Sequence, residues 1–184
     1  MVAAAGVVGF ALLTAVGARV AIPIPGTPVP ITLQTVFVLL AGVTLGPRLG
    51  TASMAFYLLL GTTGYHVFAL GHWGLPTVLG ARGGYLSGFL LAQPALGLLA
   101  HSSSLSRLRL IHAVIVGNAI IFTAGLAGLW IWSGADLPTT LAMGFWPFVP
   151  GMIVKFAIVV AVGPPLLKAT RRWFPAKDQQ FPQR

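Results

Sequence analysis

The chain has no cysteine and only two acidic residues, Asp136 and Asp178, among its 184 positions. Without cysteine there is no disulfide, no thiol nucleophile and no thiolate metal site. Two-carboxylate catalysis needs a close pair of acids. Asp136 reads as part of a short loop and Asp178 as part of a polar tail, so no such pair is expected. Carboxylate-rich cation sites fail for the same reason. No enzyme, metal or cofactor is therefore expected. Charged residues of both signs total only 7%, against about 25% in a soluble domain. So few charges cannot cover a water-facing surface.

Apolar residues dominate instead, at 57%, with a mean hydropathy of +0.91. The expected class is an all-α integral membrane protein. Crossing the hydrocarbon takes roughly 20 helical residues. The apolar runs predict six spans, at about 2–22, 33–46, 49–64, 83–100, 109–132 and 144–167. Spans two and three are short and share the break Gly46-Pro47-Arg48, so one kinked element is the alternative there. The six spans form a membrane domain over 1–172, followed by a polar tail over 173–184. The net charge of +9 does not point to nucleic acid, because the basic residues flank apolar runs instead of forming one patch. No Lys or Arg precedes the run from Val2, so the positive start of a signal peptide is missing.

Cytoplasmic loops collect Lys and Arg. Six spans put Arg48, Arg107, Arg109, Lys168, Arg171, Arg172, Lys177 and Arg184 on one side and leave Arg82 alone on the other. The asymmetry predicts a plasma-membrane protein with both termini in the cytoplasm. On the outer side, residues 23–30 carry four prolines in eight positions, which makes an extended, stiff loop. Residues 71–84 form a second outer loop rich in glycine, able to pass close to a ligand.

Polar residues inside the spans are the candidates for chemistry. An ammonium in hydrocarbon costs at least about 2.5–3.5 kcal/mol, and no acid within a span can pair with Lys155. It either receives a ligand carboxylate or carbonyl, or it snorkels and bonds helix-end carbonyls. Met152 lies one turn earlier on the same face and either lines a pocket or fills space. Thr32 and Gln34, at the start of span two, suit a polar uncharged ligand group; the alternative is capping and interhelical bonding. Tyr85 either meets a ligand or belongs to the interfacial belt. Asn118 reads first as interhelical glue and second as a ligand contact. Gln93, before Pro94, is expected to satisfy backbone freed by the proline. Arg82 reads first as a solvated loop arginine and second as a cation that attracts an anionic carboxylate at the entrance; Arg19 reads as a snorkelling arginine. His66 and His72 make a poor metal pair, and the Ser102–Ser104 run reads as a polar turn.

Several stretches together resemble the BioY family, the biotin-specific substrate-binding subunits of energy-coupling-factor vitamin transporters. They are Pro30-Ile31-Thr32-Leu33-Gln34 behind the proline-rich loop, the run from Leu39 to Gly50, and Tyr57-Leu58-Leu59-Leu60-Gly61 running on to Val67-Phe68-Ala69. Gly83-Gly84-Tyr85-Leu86-Ser87-Gly88-Phe89 and Pro150-Gly151-Met152-Ile153-Val154-Lys155-Phe156 complete the set. The resemblance implies six helices and a vitamin pocket near the outer face. It also implies partnership with a transmembrane coupling subunit and two ATPase subunits, although some biotin members are reported to act without dedicated partners. It implies a docking face for that coupling subunit on a small-residue stripe, here Ala11 and Ala15; packing within this chain is the alternative. Two positions depart from the pattern. Met152 stands where the family has an acidic residue suited to a ureido N–H, which leaves open another vitamin or a biotin precursor. His66 stands where the family has proline.

Overall fold

The computed structural model describes residues 1–100 and 106–174. The serine run and the tail beyond Phe174 lie outside the described residues. The element order is α1 (Val2–Arg19), β1 (Ala21–Ile22), β2 (Ile31–Thr32), α2 (Gln34–Thr62), α3 (Leu75–Leu79), α4 (Gly83–Ala100), α5 (Arg107–Ser133), α6 (Leu137–Gly144) and α7 (Val149–Thr170). Single 3-10 turns lie at Ala69–Gly71 and Trp146–Phe148. The architecture is an all-α bundle. Five helical stretches are long and apolar enough to cross a membrane, and they are hydrophobic on every side, as lipid-facing or enclosed helices must be.

The α2 stretch is two helices folded back on each other. Gly46 has φ +82° and ψ −180°, a conformation that only glycine adopts freely, and Pro47 then starts a new helix. Eight residues of straight helix would separate Gly42 from Gly50 by about 12 Å. Instead, a Cβ on Gly50 would sit 3.1 Å from the Gly42 Cα. The expected spans two and three are thus the two arms, 34–45 and 47–62, of one broken element. The tip of this hairpin sits on Gly97 of α4, where a Cβ would run into the Pro47 nitrogen.

The α2 hairpin is the most enclosed element, and Leu39, Leu45, Met54 and Tyr57 are fully buried within it. α4 packs on the hairpin and on α5. Gly84 of α4 faces Gly128 of α5 so closely that a Cβ on Gly84 would lie 2.9 Å from the Gly128 Cα. Small residues let helices approach this far, and in lipid that packing takes the place of the hydrophobic effect. α1 and α7 lie at the periphery with many exposed apolar side chains.

At one end of the bundle, β1 and β2 pair antiparallel, Ala21 with Thr32 and Ile22 with Ile31. The proline-rich segment is the loop between them. Two bonds fasten it, the Leu33 N–H reaching the Gly17 carbonyl at 3.2 Å and the Val20 carbonyl at 3.3 Å. Arg19 donates to the His66 carbonyl at 2.9 Å, so it ties α1 to the loop that follows α2. At the same end, Asp136 caps α6, accepting from the Thr139 N–H at 3.0 Å.

Candidate ligand site

A cavity opens at the end of the bundle that carries the proline-rich loop; its empty space, open mouth included, is about 610 Å³. β2 and the start of α2 bring Thr32, Gln34 and Thr35. The loop that follows α2 brings Phe68 and Ala69, and Arg82 stands just before α4. α4 adds Tyr85, Leu86 and Phe89, α5 adds Ile121 and Phe122, and α7 adds Lys155, with Phe148 just before it. Four of the sequence candidates therefore meet in one place: Thr32, Gln34, Tyr85 and Lys155. They come from four separate elements.

The polar groups are ordered by one another. The Thr32 hydroxyl donates to Gln34 Oε1 at 3.1 Å, Gln34 Nε2 donates to the Tyr57 hydroxyl at 2.5 Å, and that hydroxyl donates to the Val67 carbonyl at 3.0 Å. This relay crosses the hairpin from one arm to the other. In a straight helix the 23 residues between Gln34 and Tyr57 would span about 35 Å. Sequence reasoning gave Tyr57 no role of its own. The signal it offered was a hydroxyl on an otherwise apolar arm.

Lys155 Nζ donates to the Thr32 carbonyl at 3.0 Å. An ammonium carries three donors, so two remain beyond this bond, and the cavity lies beside it. Tyr85 spends its hydroxyl on the Gly144 carbonyl at 2.6 Å and presents its ring, edge-on to Phe122 at 6.1 Å. The Tyr85 environment therefore favours ring contact over a hydroxyl bond to a ligand. Arg82 differs from the expected solvated arginine. Its Nε donates to the Pro28 carbonyl at 3.2 Å and its Nη1 to the Ala69 carbonyl at 3.4 Å. It joins the proline-rich loop to the loop that follows α2, beside the cavity, and partial burial lowers its pKa from the ordinary value. An arginine remains charged under such a shift. The cavity thus has two cations and no carboxylate in its wall.

The other candidates lie elsewhere. Asn118 and Met152 border a second, apolar groove between α5 and α7, and Asn118 Nδ2 donates to the Val114 carbonyl at 3.2 Å. Gln93 is fully enclosed, with Nε2 on the Val38 and Phe89 carbonyls at 3.2 and 2.8 Å. It links α4 to the hairpin. Ala11 is also fully enclosed by the chain's own helices. His66 packs against Trp73 with ring centroids 5.4 Å apart. Among the described residues no group of His, Cys, Asp or Glu has the makings of a metal site.

Residues 2–172 match the model of the BioY family. The chain belongs to the BioY family. Its BioY relatives include the biotin transporter BioY of Thermotoga maritima, 36% identical over 153 residues, which cover 83% of this chain and 88% of that one. A probable biotin transporter BioY of Pyrococcus horikoshii is 36% identical over 155 residues, with the same coverage of 83% and 88%. The fold matches a crystal structure at 2.1 Å of the S-component for biotin from an ECF-type ABC transporter. The TM-score is 0.85 at 26% identity, over 94% of this chain and 95% of that one. Membership of BioY makes the chain a membrane transport protein rather than an enzyme.

Proposed function

We propose that this chain is the membrane-embedded biotin-binding subunit of an ATP-driven vitamin uptake system, capturing its ligand at the outer face. The observation that carries the reading is the cavity itself. Its wall is largely apolar, it holds two cations and no anion, and its polar groups cluster at Thr32, Gln34 and Lys155. Biotin has a polar ureido end, an apolar ring and chain, and a carboxylate. Lys155 and the Thr32–Gln34 pair supply donors and acceptors for the ureido group, the rings of Tyr85, Phe89 and Phe148 cover the apolar part, and Arg82 at the loop junction faces the carboxylate. A mostly apolar pocket with few placed polar groups discriminates by leaving wrong ligands with unpaired groups. The stiff proline-rich loop loses little entropy on closing over a ligand.

Asn118 and Met152 act in this reading from the α5–α7 groove, at one remove from the ligand. Met152 also favours a second reading, an S-type subunit for a biotin precursor or another vitamin, because the family's acid is missing there. Titration of the purified protein with biotin and with its precursors separates the two. Nanomolar binding of biotin supports the first reading; nanomolar binding of a different compound, with biotin inert, overturns it.

The membrane domain spans 1–172 with the tail over 173–184, and both termini face the cytoplasm, as the loop charges require. The partners are a transmembrane coupling subunit and its ATPases. With Ala11 enclosed, the outward face of α1 at Leu12, Leu13 and Val16, flanking Ala15, is the surface that a coupling subunit would meet.

A further inference from the structure

Two cavities approach each other across α5 and α7. One is the ligand cavity. The other is an apolar groove bordered by Ile115, Asn118, Met152 and Phe156 among others, whose empty space, open side included, is about 660 Å³. The groove opens sideways, where Ile115 and Ile153 are 51% and 61% exposed on the surface that lipid covers. Phe122 is the one residue that borders both spaces. Its ring is held edge-on from both sides, by Tyr85 at 6.1 Å and Phe148 at 6.4 Å toward the cavity, and by Phe145 at 5.6 Å toward the groove. Such edge-to-face sets fix a ring's position more firmly than packing area alone. The surroundings explain why one ring suffices. α5 lies close along α4 but packs far less extensively on α7, where Leu110 packs on Gly163 and aromatic rings fill the seam beside the cavity.

We infer that Phe122 is a partition that closes the ligand cavity against a lipid-facing groove and thereby limits the size of ligand the cavity encloses. With the ring removed, the two spaces join through the wall of the bundle. A ligand carrying an alkyl substituent that the closed cavity rejects then has room to extend between α5 and α7. The ring also keeps lipid tails out of a space whose polar groups at Thr32, Gln34 and Lys155 must stay available to a ligand.

The chain has no cysteine, so one introduced thiol reports on one place. Thr35→Cys puts a thiol in the cavity wall, and Ile115→Cys puts one in the groove. Each is made with Phe122 intact, with Phe122→Ala and with Phe122→Leu, and reconstituted in nanodiscs. Labelling rates are compared for N-ethylmaleimide and for a long-chain alkyl maleimide delivered from the bilayer. The groove thiol should react with the lipophilic reagent at similar rates in all backgrounds. The cavity thiol should react with it at least ten-fold faster, relative to N-ethylmaleimide, once Phe122 is truncated. Phe122→Leu gives the same comparison should the alanine variant fail to fold. An unchanged ratio at the cavity thiol in a folded truncated variant, or rapid lipophilic labelling there with Phe122 intact, overturns the inference. The readout needs no vitamin, so it is separate from the outcome of the biotin titration.

Discussion

Replacing Lys155 with methionine should move ligand affinity and protein stability in different directions. The side chain keeps similar length and loses its charge. In the empty protein the ammonium makes one bond, to the Thr32 carbonyl at 3.0 Å, and no acid lies within any described span. A charge-assisted bond contributes about 1.5–3 kcal/mol. Placing a cation at the helix centre costs about 2.5–3.5 kcal/mol on insertion scales. The two nearly cancel, so the empty Lys155→Met protein should melt at the wild-type temperature or slightly above it. Binding has no such compensation. Loss of one charge-assisted bond to the ligand corresponds to a roughly 10- to 150-fold weaker Kd. The assays are calorimetric titration with biotin and thermal unfolding of the empty protein in the same detergent. A variant that binds within three-fold of wild type refutes the ligand role. A variant that melts markedly lower while still binding shows instead that the lysine holds β2 to α7.

Tyr85→Phe leaves the buried Gly144 carbonyl without its 2.6 Å partner and should cost about 1–3 kcal/mol of stability, while ligand affinity stays nearly unchanged because the ring remains; thermal unfolding and titration check both halves. Gly50→Ala places a Cβ 2.8 Å from Gln93 Oε1 and should destabilise the hairpin by about 1–3 kcal/mol, seen as a lower melting temperature. Arg82→Gln removes the bonds to the Pro28 and Ala69 carbonyls. It should raise amide exchange in residues 24–29 and weaken an anionic ligand; unchanged exchange there would show that the loops close without it. Bonds from the Thr139 side chain and then its backbone N–H hold the Asp136 carboxyl below its ordinary pKa. Its stabilisation is therefore present above the unfolded value and is lost as pH falls through the lower folded value. Asp136→Asn, which still caps, should flatten that acid-side loss in a melting-temperature profile.

Much of this was legible in the residues before any coordinates. Two acids, no cysteine and a majority of apolar residues dictate a membrane bundle, because no other arrangement covers so much apolar surface. Four prolines in a row of eight dictate a stiff loop. A lysine without a possible acid in its span marks a polar interior, and the Pro-Ile-Thr-Leu-Gln and Gly-Gly-Tyr-Leu-Ser-Gly-Phe runs carry the family resemblance. Lys155 and Tyr85 stand out by residue type and position, and Thr32 and Gln34 by these together with the family resemblance.

Tertiary structure decided the rest, since each remaining question depends on how one helix is turned against another. Met152 and Lys155 are a single turn apart, yet the roll of α7 sends one to the lipid-side groove and the other to the cavity. Ala11 has the spacing of a docking face, but α1 turns it inward. Arg82 becomes a clasp only because two loops distant in sequence bring their carbonyls to it. Tyr57 enters the polar relay only because the chain doubles back at Gly46, and Phe122 separates two spaces that exist only once α5 and α7 are in place. Periodicity along a chain sets which residues share a stripe; it contains no term for the rotation of that stripe about the helix axis, which packing against the other helices determines.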